Sequence, residues 1–329
     1  MTQTNRSLNE TSSNFVDKER GIFWCTSFGL VGLLIFSSNF ATITTFVVNK
    51  QLRRHGIYCL LNLAVADMLL GALTIPYYIN DIAGIFLQWN LLEPQVYVVV
   101  RGFYITVLFG SLFCLVVVSL NRVFATYLPF RYRTMKLRSH LSIFAITWAL
   151  AIAASVVFFL MKQLQDQVVL VFQGLFVMAL IIIIMSYVII LMKVKIKNQV
   201  PTTSLSQLRE RHLAITVFLV SLLSMTTWIP SIVFHAIYKT QTSGFNIDLQ
   251  LSIYLIHSSN SLVNPVIYVF RMKDFRKALW KLFTSCMPAD SSITPPTSPG
   301  NVESNNNQGA GQTNKCVLSF NNVVFDTKL

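Results

Sequence analysis

One ionisable residue lies in the middle of a strongly apolar segment, which is an expensive position for a carboxylate. This residue is Asp67, in the run LNLAVADMLLG. A charged group at membrane depth usually faces the interior of a helix bundle and has a function there. Five polar residues of other apolar segments could converge on it if the segments form a closed bundle: Asn39, Ser111, Asn260, Ser261 and Asn264. Such a cluster either joins the helices by hydrogen bonds or serves a further function.

Residues that could carry catalysis or bind a catalytic metal are scattered along the chain. The five histidines follow no metal-binding spacing such as HExxH: His55, His140, His212, His235 and His257. The five cysteines provide no pair on the predicted outer side, so no outer disulfide is expected. The sequence therefore predicts a protein that is not an enzyme and that needs no cofactor.

The segments that hold these polar residues are long and apolar. The 329 residues are 53% hydrophobic and 12% charged, which is too apolar for one soluble core of ordinary proportions. A hydrocarbon layer about 30 Å thick takes roughly 20 helical residues to cross. Seven stretches reach that length, at approximately residues 21–48, 57–79, 96–126, 141–161, 168–194, 212–238 and 249–270. Because each span must satisfy its own backbone hydrogen bonds, we predict an all-α membrane protein with a seven-transmembrane helix bundle.

Basic residues between these segments predict the orientation of the chain. They cluster in the loops on one side of the membrane, whereas the opposite loops hold only Lys162 and Lys239. The positive-inside rule then places the C-terminus in the cytoplasm and the N-terminus outside a plasma membrane. The net charge of +13 reflects this bias toward anionic membrane lipids, and nucleic-acid binding is not expected. Two glycosylation sequons, at Asn5 and Asn9, agree with an external N-terminus.

Short motifs on the predicted helices follow one another in a fixed order. They are Asn39, then Leu63, Ala66 and Asp67, then Arg122, then Trp148, then Trp228 and Pro230, then Asn264, Pro265 and Tyr268, then Phe275 and Arg276. On these residues the chain, over roughly residues 29–286, resembles the rhodopsin-like family of G-protein-coupled receptors. The resemblance implies that the protein transmits an extracellular ligand signal to heterotrimeric G proteins. The alternative is a seven-helix transporter or channel, although the sequence shows no internal repeat of the kind typical of transporters.

The resemblance also implies roles for individual residues. Five match the family's sodium site, which is formed by oxygen atoms that suit a hard cation: Asp67, Ser111, Asn260, Ser261 and Asn264. A sodium ion is therefore expected as an allosteric modulator. The residues expected to act in the activation switch are Asn121, Arg122, Tyr187, Glu210, Trp228, Pro230, Asn264, Pro265 and Tyr268. Arg122, with Pro129 and Phe130 in the second inner loop, matches the family's contact with the G protein.

The chain departs from the family pattern on both sides of the membrane. Asn121 stands where most relatives carry an acidic residue before the arginine. An ion pair at contact distance is worth at most about 4 kcal/mol at an effective dielectric constant near 20, so its loss should raise ligand-independent signalling. Glu210 is placed to keep part of the restraint on Arg122. The missing outer disulfide and the short loop at residues 162–167 resemble the branch that contains melanocortin and lipid receptors.

The ligand class is narrowed by exclusion. No lysine lies between residues 249 and 270, which excludes a retinal Schiff base, and Tyr104 stands where amine receptors keep a carboxylate. The expected ligand pocket is aromatic and polar: Tyr78, Arg101, Tyr104, Trp228, His235, Tyr254 and His257. It suits a small-molecule, lipid or peptide ligand that is not identified further. Arg101 either extends its charge to the membrane surface or binds an anionic group of the ligand.

The predicted organisation of the chain has four parts. Residues 1–20 form an extracellular segment, residues 21–271 the seven-transmembrane receptor domain, residues 272–284 an amphipathic membrane-surface helix, and residues 285–329 a disordered cytoplasmic tail. Cys286 is a candidate for palmitoylation. Serines and threonines of the tail are candidates for phosphorylation and arrestin binding, and the C-terminal Leu329 fits a PDZ protein.

Overall fold

The computed structural model describes residues 2–49, 52, 55–160, 165–197, 223, 226–234 and 246–285. Within these residues the chain is helical. The helices are α1 (Thr2–Val48), α2 (His55–Phe86), α3 (Pro94–Tyr127), α4 (Pro129–Arg133), α5 (Leu137–Leu160), α6 (Gln165–Lys197), α7 (residues 226–234), α8 (Ile247–Ser258), α9 (Asn260–Arg271) and α10 (Lys273–Ser285). Residues Met1–Leu279 form one compact unit, and the described part of a second unit, Trp280–Leu329, is the end of α10.

The predicted spans appear as helices where the structure describes them. In the described part of the chain, α1, α2, α3 and α5 are long and apolar enough to cross a membrane, and α6 contains a shorter apolar stretch, Gly174–Ile190. The sixth predicted span lies mostly outside the described residues. Helix α1 begins at Thr2 and has 47 residues, so at about 1.5 Å per residue it is roughly 70 Å long. No helix end therefore coincides with the predicted boundary at residue 20.

The seventh predicted span is divided into two helices. Helix α8 is followed by a turn at Ser259, after which α9 begins. The amide of Leu262 donates to the carbonyl of Ser259 at 3.0 Å, which spans three residues instead of the four of an α-helix. This tighter turn changes which side chains of α9 face the interior, so that Asn260, Ser261 and Asn264 are all buried.

A side chain of the first helix completes the backbone of the seventh. Pro265, inside α9, has no N–H to donate to the carbonyl four residues before it, which belongs to Ser261. The side-chain amide of Asn39 in α1 donates to this carbonyl at 3.1 Å. The same amide also donates to the carbonyl of Ile35 in its own helix at 3.0 Å. Asn39 therefore satisfies a carbonyl that the proline leaves without its helical partner.

Helices α1 and α2 touch through their backbones at two glycines. A Cβ atom on Gly71 would lie 2.7 Å from the amide nitrogen of Phe36 and 2.9 Å from the carbonyl oxygen of Gly32. A Cβ atom on Gly32 would lie 2.7 Å from the Cγ1 atom of Ile75. Small residues allow this close approach, which is a common way for membrane helices to gain van der Waals contact. Either glycine therefore has no room for a side chain unless the two helices move apart.

Three aromatic rings close the end of the bundle where α9 meets α10. The ring of Phe275 lies 5.1 Å from that of Phe46 in α1 and 6.0 Å from that of Tyr268 in α9, measured between centroids. All three side chains are buried. Tilted and edge-on ring contacts of this kind add to the energy of burial. Together the rings hold the turn at Met272 between α9 and α10 against α1.

Candidate functional site

The carboxylate of Asp67 is the centre of a polar cluster inside the bundle. Its Oδ1 atom accepts hydrogen bonds from the hydroxyls of Ser111 at 2.7 Å and Ser261 at 2.8 Å. Its Oδ2 atom accepts from the side-chain amide of Asn264 at 2.5 Å. Asp67 is fully buried, and the three donors come from α3 and α9. The structure thus brings together four of the five residues predicted for a sodium site.

The fifth predicted residue, Asn260, lies one helical turn before Asn264 on the same face of α9. It is buried, and its Oδ1 atom has no hydrogen-bond donor among the described residues. The Oδ1 atom of Asn264 also lacks a donor there. Two amide oxygens, two hydroxyls and a carboxylate are ligands of the kind that a hard cation prefers. The residues present therefore fit a bound sodium ion.

A cavity of about 330 Å³ lies among α2, α3, α5, α6, α7 and α8. Six of the seven residues predicted for a ligand pocket line it: Tyr78, Arg101, Tyr104, Trp228, Tyr254 and His257. The seventh, His235, lies outside the described residues. The sequence did not single out Phe158, Phe176 and Ser231, which also line the cavity. They come from helices whose rotation cannot be read from an apolar sequence that has little periodicity.

Aromatic rings shape the walls of this cavity. The rings of Tyr77 and Tyr104 stack at 4.4 Å, and the hydroxyl of Tyr104 donates to that of Tyr78 at 3.2 Å. In another part of the wall, the ring of Trp228 meets the ring of Phe176 edge-on, with 4.8 Å between their centroids. These contacts fix the positions of the rings before any ligand binds. The cavity therefore offers flat apolar faces with a few hydroxyls between them.

Buried polar residues also gather near the other end of α3. Asn121 and Arg122 are both buried, and the side-chain amide of Asn121 donates to the hydroxyl of Tyr132 in α4 at 3.4 Å. This contact is long and uncharged, whereas an aspartate in the same place would make a charge-assisted bond. Tyr187 of α6 and Tyr268 of α9 are buried as well.

A lysine joins the ends of α3 and α6 in the same region. The ammonium group of Lys193 donates to the carbonyl of Thr126 at 2.7 Å and lies 4.1 Å from the centre of the Tyr127 ring. The hydroxyl of Tyr127 donates in turn to the carbonyl of Ile189 at 3.3 Å. A cation at the C-terminal carbonyls of a helix is stabilised by the helix dipole.

Comparison with known proteins places these features in one family. A family model described as "7 transmembrane receptor (rhodopsin family)" matches residues 38–169. The chain is 28% identical to a rhodopsin of Psalidodon fasciatus over 281 residues, which cover 75% of this chain and 76% of the relative. It is 26% identical to lysophosphatidic acid receptor 3 of Rattus norvegicus over 340 residues, which cover 93% and 91%. It is 24% identical to an adenosine receptor of Canis lupus familiaris over 296 residues, which cover 80% and 92%. The chain is a rhodopsin-like receptor.

The receptor is therefore a multi-pass membrane protein that couples ligand binding to a G protein, and it is not an enzyme. Its relatives are receptors named for very different ligands, including adenosine, lysophosphatidic acid and chemokines. This range confirms the predicted family and function and does not favour a transporter or channel. The resemblance to the melanocortin and lipid-receptor branch stays a prediction.

Several predicted residues of the receptor keep only their sequence-based assignments. Glu210 and Cys286 lie outside the described residues, as do the side chains of Asn5 and Asn9. Pro230 lies in α7, two residues after Trp228, and Pro129 and Phe130 lie in α4. The side chain of Phe130 is 85% exposed.

One polar residue that positions helices of the receptor was missed in the sequence. The Oδ1 atom of Asn62 in α2 accepts a hydrogen bond from the indole of Trp148 in α5 at 3.1 Å. Its amide donates to the sulfur of Cys114 in α3 at 3.2 Å. Asn62 therefore joins three helices of the receptor. The only signal in the sequence was an amide side chain within a predicted span, five residues before Asp67.

An ion pair joins three helices at the end of the receptor that is distant from Arg122. The carboxylate of Asp248 in α8 accepts from the guanidinium of Arg20 at 2.6 Å and from the indole of Trp24 at 2.9 Å. Arg20 also lies 5.2 Å from the centre of the Phe86 ring of α2. Among the described residues the cysteines are free: Cys25, Cys59 and Cys114. In the described part of the receptor, the helix ends on this side are therefore joined by the ion pair of Arg20 with Asp248 and by the Trp24 indole, and not by a disulfide.

Proposed function

We propose that the receptor lies in a plasma membrane with its N-terminus outside, binds its ligand in the aromatic cavity and activates a heterotrimeric G protein. Helix α3 supports this proposal because it contributes a residue to the aromatic cavity, to the Asp67 cluster and to the expected contact with the G protein. Tyr104 lines the cavity, Ser111 binds Asp67 seven residues later, and Arg122 follows after another eleven residues. At about 1.5 Å per residue these steps are roughly 10 and 16 Å. A small movement of α3 would therefore change all three sites together.

The test is nucleotide exchange on a panel of purified G proteins, with the receptor reconstituted in lipid vesicles. Arg122→Ala should lower exchange at least tenfold, because it removes the buried cation expected to contact the G protein. Arg131→Ala, which removes an exposed arginine of α4, is the matched control and should change exchange little. Exchange by none of the G proteins, or equal losses in the two variants, would refute the proposal.

A sodium ion is proposed to bind at the Asp67 cluster and to stabilise the inactive receptor. The supporting observation is the set of oxygen atoms around a buried carboxylate, two of them without donors among the described residues. Sodium should then lower agonist affinity and raise the melting temperature relative to potassium, because a ligand stabilises the state that it binds. Asp67→Ala should abolish both effects.

A pair of serines in α3 supplies the control for this experiment. Ser111 binds Asp67, whereas Ser119 is equally buried but bonds only to the carbonyl of Leu115 in its own helix. Ser111→Ala should weaken the response to sodium, and Ser119→Ala should leave it intact. A response that persists at full size in Asp67→Ala would contradict the proposed site.

The receptor is also proposed to signal without ligand more than its relatives do. The support is the long, uncharged contact from Asn121 to Tyr132 in place of a charged restraint on Arg122. Asn121→Asp should lower basal signalling severalfold, because an ion pair then holds the arginine. A basal signal no greater than in mock-transfected cells would count against this proposal.

Further contacts are proposed on the cytoplasmic side. Phe130, with Pro129, forms an exposed apolar surface that suits docking of the G protein. Arrestin and a PDZ protein are proposed partners of the tail, glycans are proposed at Asn5 and Asn9, and a palmitate at Cys286. A pull-down that compares the full tail with a tail lacking Leu329 tests the PDZ contact. If the contact exists, only the full tail should capture a PDZ protein.

A further inference from the structure

The charge inside the cavity is unbalanced in the part of the chain that the structure describes. Among the described residues that line the cavity, Arg101 is the one with a permanent charge. The others are aromatic, aliphatic, hydroxyl-bearing or imidazole side chains. A guanidinium in such an apolar environment is costly unless it is paired and hydrogen-bonded. The cavity therefore has a position that favours a negative charge.

The contacts of Arg101 show that this position is not already filled by a described residue. The Nε atom of Arg101 is buried and has no hydrogen-bond partner among the described residues. The nearby carboxylate of Asp81 interacts with Arg101 only at longer range, because no ion pair within 4.0 Å joins the two. A guanidinium that only extended its charge to the membrane surface would have its nitrogen atoms in water. The buried Nε atom shows instead that this part of the guanidinium faces the protein and not water.

The size and walls of the cavity limit the rest of the ligand. A volume of about 330 Å³ lies at the lower end of the range of roughly 300–1,000 Å³ seen for small-molecule sites. The stacked rings of Tyr77 and Tyr104 and the indole of Trp228 offer flat faces suited to another ring. A long acyl chain would have to extend beyond this volume. The space favours a compact molecule with an aromatic ring.

We propose that the cavity binds a compact aromatic anion, with its carboxylate or phosphate on Arg101 and its ring among the tyrosines and Trp228. The proposal rests on the ligand site of the proposed function and names the chemical class that this site takes. Arginine is suited to this role because its planar guanidinium can donate two parallel hydrogen bonds to one carboxylate or phosphate. The neutral hydroxyls of the cavity cannot replace that pairing.

Three molecules with the same ring and different charges test the proposal. Indole-3-acetate is an anion, indole-3-acetamide is neutral, and tryptamine is a cation. Each is added at millimolar concentration to the purified receptor in nanodiscs, and the melting temperature is measured. We expect the acid alone to raise it, since a ligand that binds the folded receptor stabilises it. Equal stabilisation by all three molecules, or none by the acid, would overturn the proposal.

Arginine variants show whether Arg101 is the binding partner. Arg101→Gln should weaken binding of the acid by about tenfold to a hundredfold, the range expected for a lost charge-assisted hydrogen bond. Arg101→Lys should retain part of it. Arg20→Gln removes an arginine outside the cavity and should leave the affinity for the acid unchanged. An equal loss in the Arg20 and Arg101 variants would contradict a specific contact.

Two further measurements separate the possible failures. An oleoyl lysophosphatidate has the same kind of charge on a long chain, so tighter binding of this lipid than of the acid would overturn the compact class. Nucleotide exchange is then measured on the same preparations. If the acid binds through Arg101 but leaves exchange unchanged, the ligand class holds and the proposed signalling role of the cavity fails. If exchange responds to the amide or the amine, the anionic class fails.

Discussion

Replacing Asn39 should destabilise the receptor chiefly because Pro265 is present in another helix. The amide of Asn39 donates at 3.1 Å to the carbonyl of Ser261, whose normal helical donor would be the N–H that the proline lacks. In Asn39→Ala that carbonyl loses its donor. In Pro265→Ala a backbone N–H becomes available to it. The two substitutions should therefore not be additive.

The size of the effect follows from burial. Asn39 is 0% exposed and Ser261 is 1% exposed, so water cannot replace the lost donor. A buried polar group without a partner costs about 1–3 kcal/mol. The space left by the asparagine side chain is the same with proline or alanine at position 265, so its cost cancels between the two backgrounds. Asn39→Ala should thus cost about 1–3 kcal/mol more in the native background than in Pro265→Ala.

The assay is thermal unfolding of the four purified proteins in nanodiscs. The coupling corresponds to a difference in melting temperature of roughly 2–12 °C, at 2–4 °C per kcal/mol for a large domain. Ser38→Ala is the control, because the Ser38 hydroxyl bonds only to the carbonyl of Ile35 within α1. It should have the same effect in both backgrounds. If Asn39→Ala also has the same effect in both, Asn39 does not compensate for the proline.

Three other substitutions have expected outcomes in the same unfolding assay. Gly71→Ala should lower the melting temperature by several degrees because its Cβ meets backbone, whereas Gly174→Ala, with nothing within 4 Å, should be neutral or slightly stabilising. Asp248→Asn should lower the stability of the receptor by about 1 kcal/mol at low salt and by less at high salt, because its ion pair with Arg20 is partly exposed. Asp17→Asn is the control: Asp17 lies 3.2 Å from the same arginine, and its replacement should change the melting temperature little. Lys193→Met should lower stability by about 1–2 kcal/mol, since it removes the cation at the end of α3. An unchanged melting temperature in Gly71→Ala, Asp248→Asn or Lys193→Met would contradict the contact assigned to that residue.

The Asp67 cluster could be predicted because membrane burial makes polar residues conspicuous. In a segment such as LNLAVADMLLG, a carboxylate has few acceptable surroundings, and the partners available are the few polar residues of neighbouring spans. The sequence therefore predicted Ser111, Ser261 and Asn264 as neighbours, and the structure places all three in contact with the carboxylate. The aromatic cavity could be predicted in part, because aromatic and polar residues gather in the outer halves of the predicted spans.

Other contacts depend on geometry that the sequence does not contain. The turn at Ser259 was missed because serine is common within membrane helices, and the tighter hydrogen bond there depends on packing. Lys193 counted only as one of many positive charges after the fifth span, and its bond to the carbonyl of Thr126 depends on where α3 ends. The role of Asn62 required knowing that α2, α3 and α5 meet at one point.

The Asp67 cluster also sets an order of events during synthesis of the chain. Two of the three donors to Asp67 lie in α9, and Ser261 follows the carboxylate by 194 residues. At about 5–20 residues per second, that interval lasts roughly 10–40 s. During this time α1 and α2 can already pair through their glycines, while the carboxylate is in the membrane without its last partners. A chain that stops before α9 would keep this acid in the membrane with one of its three donors, Ser111, and without the other two.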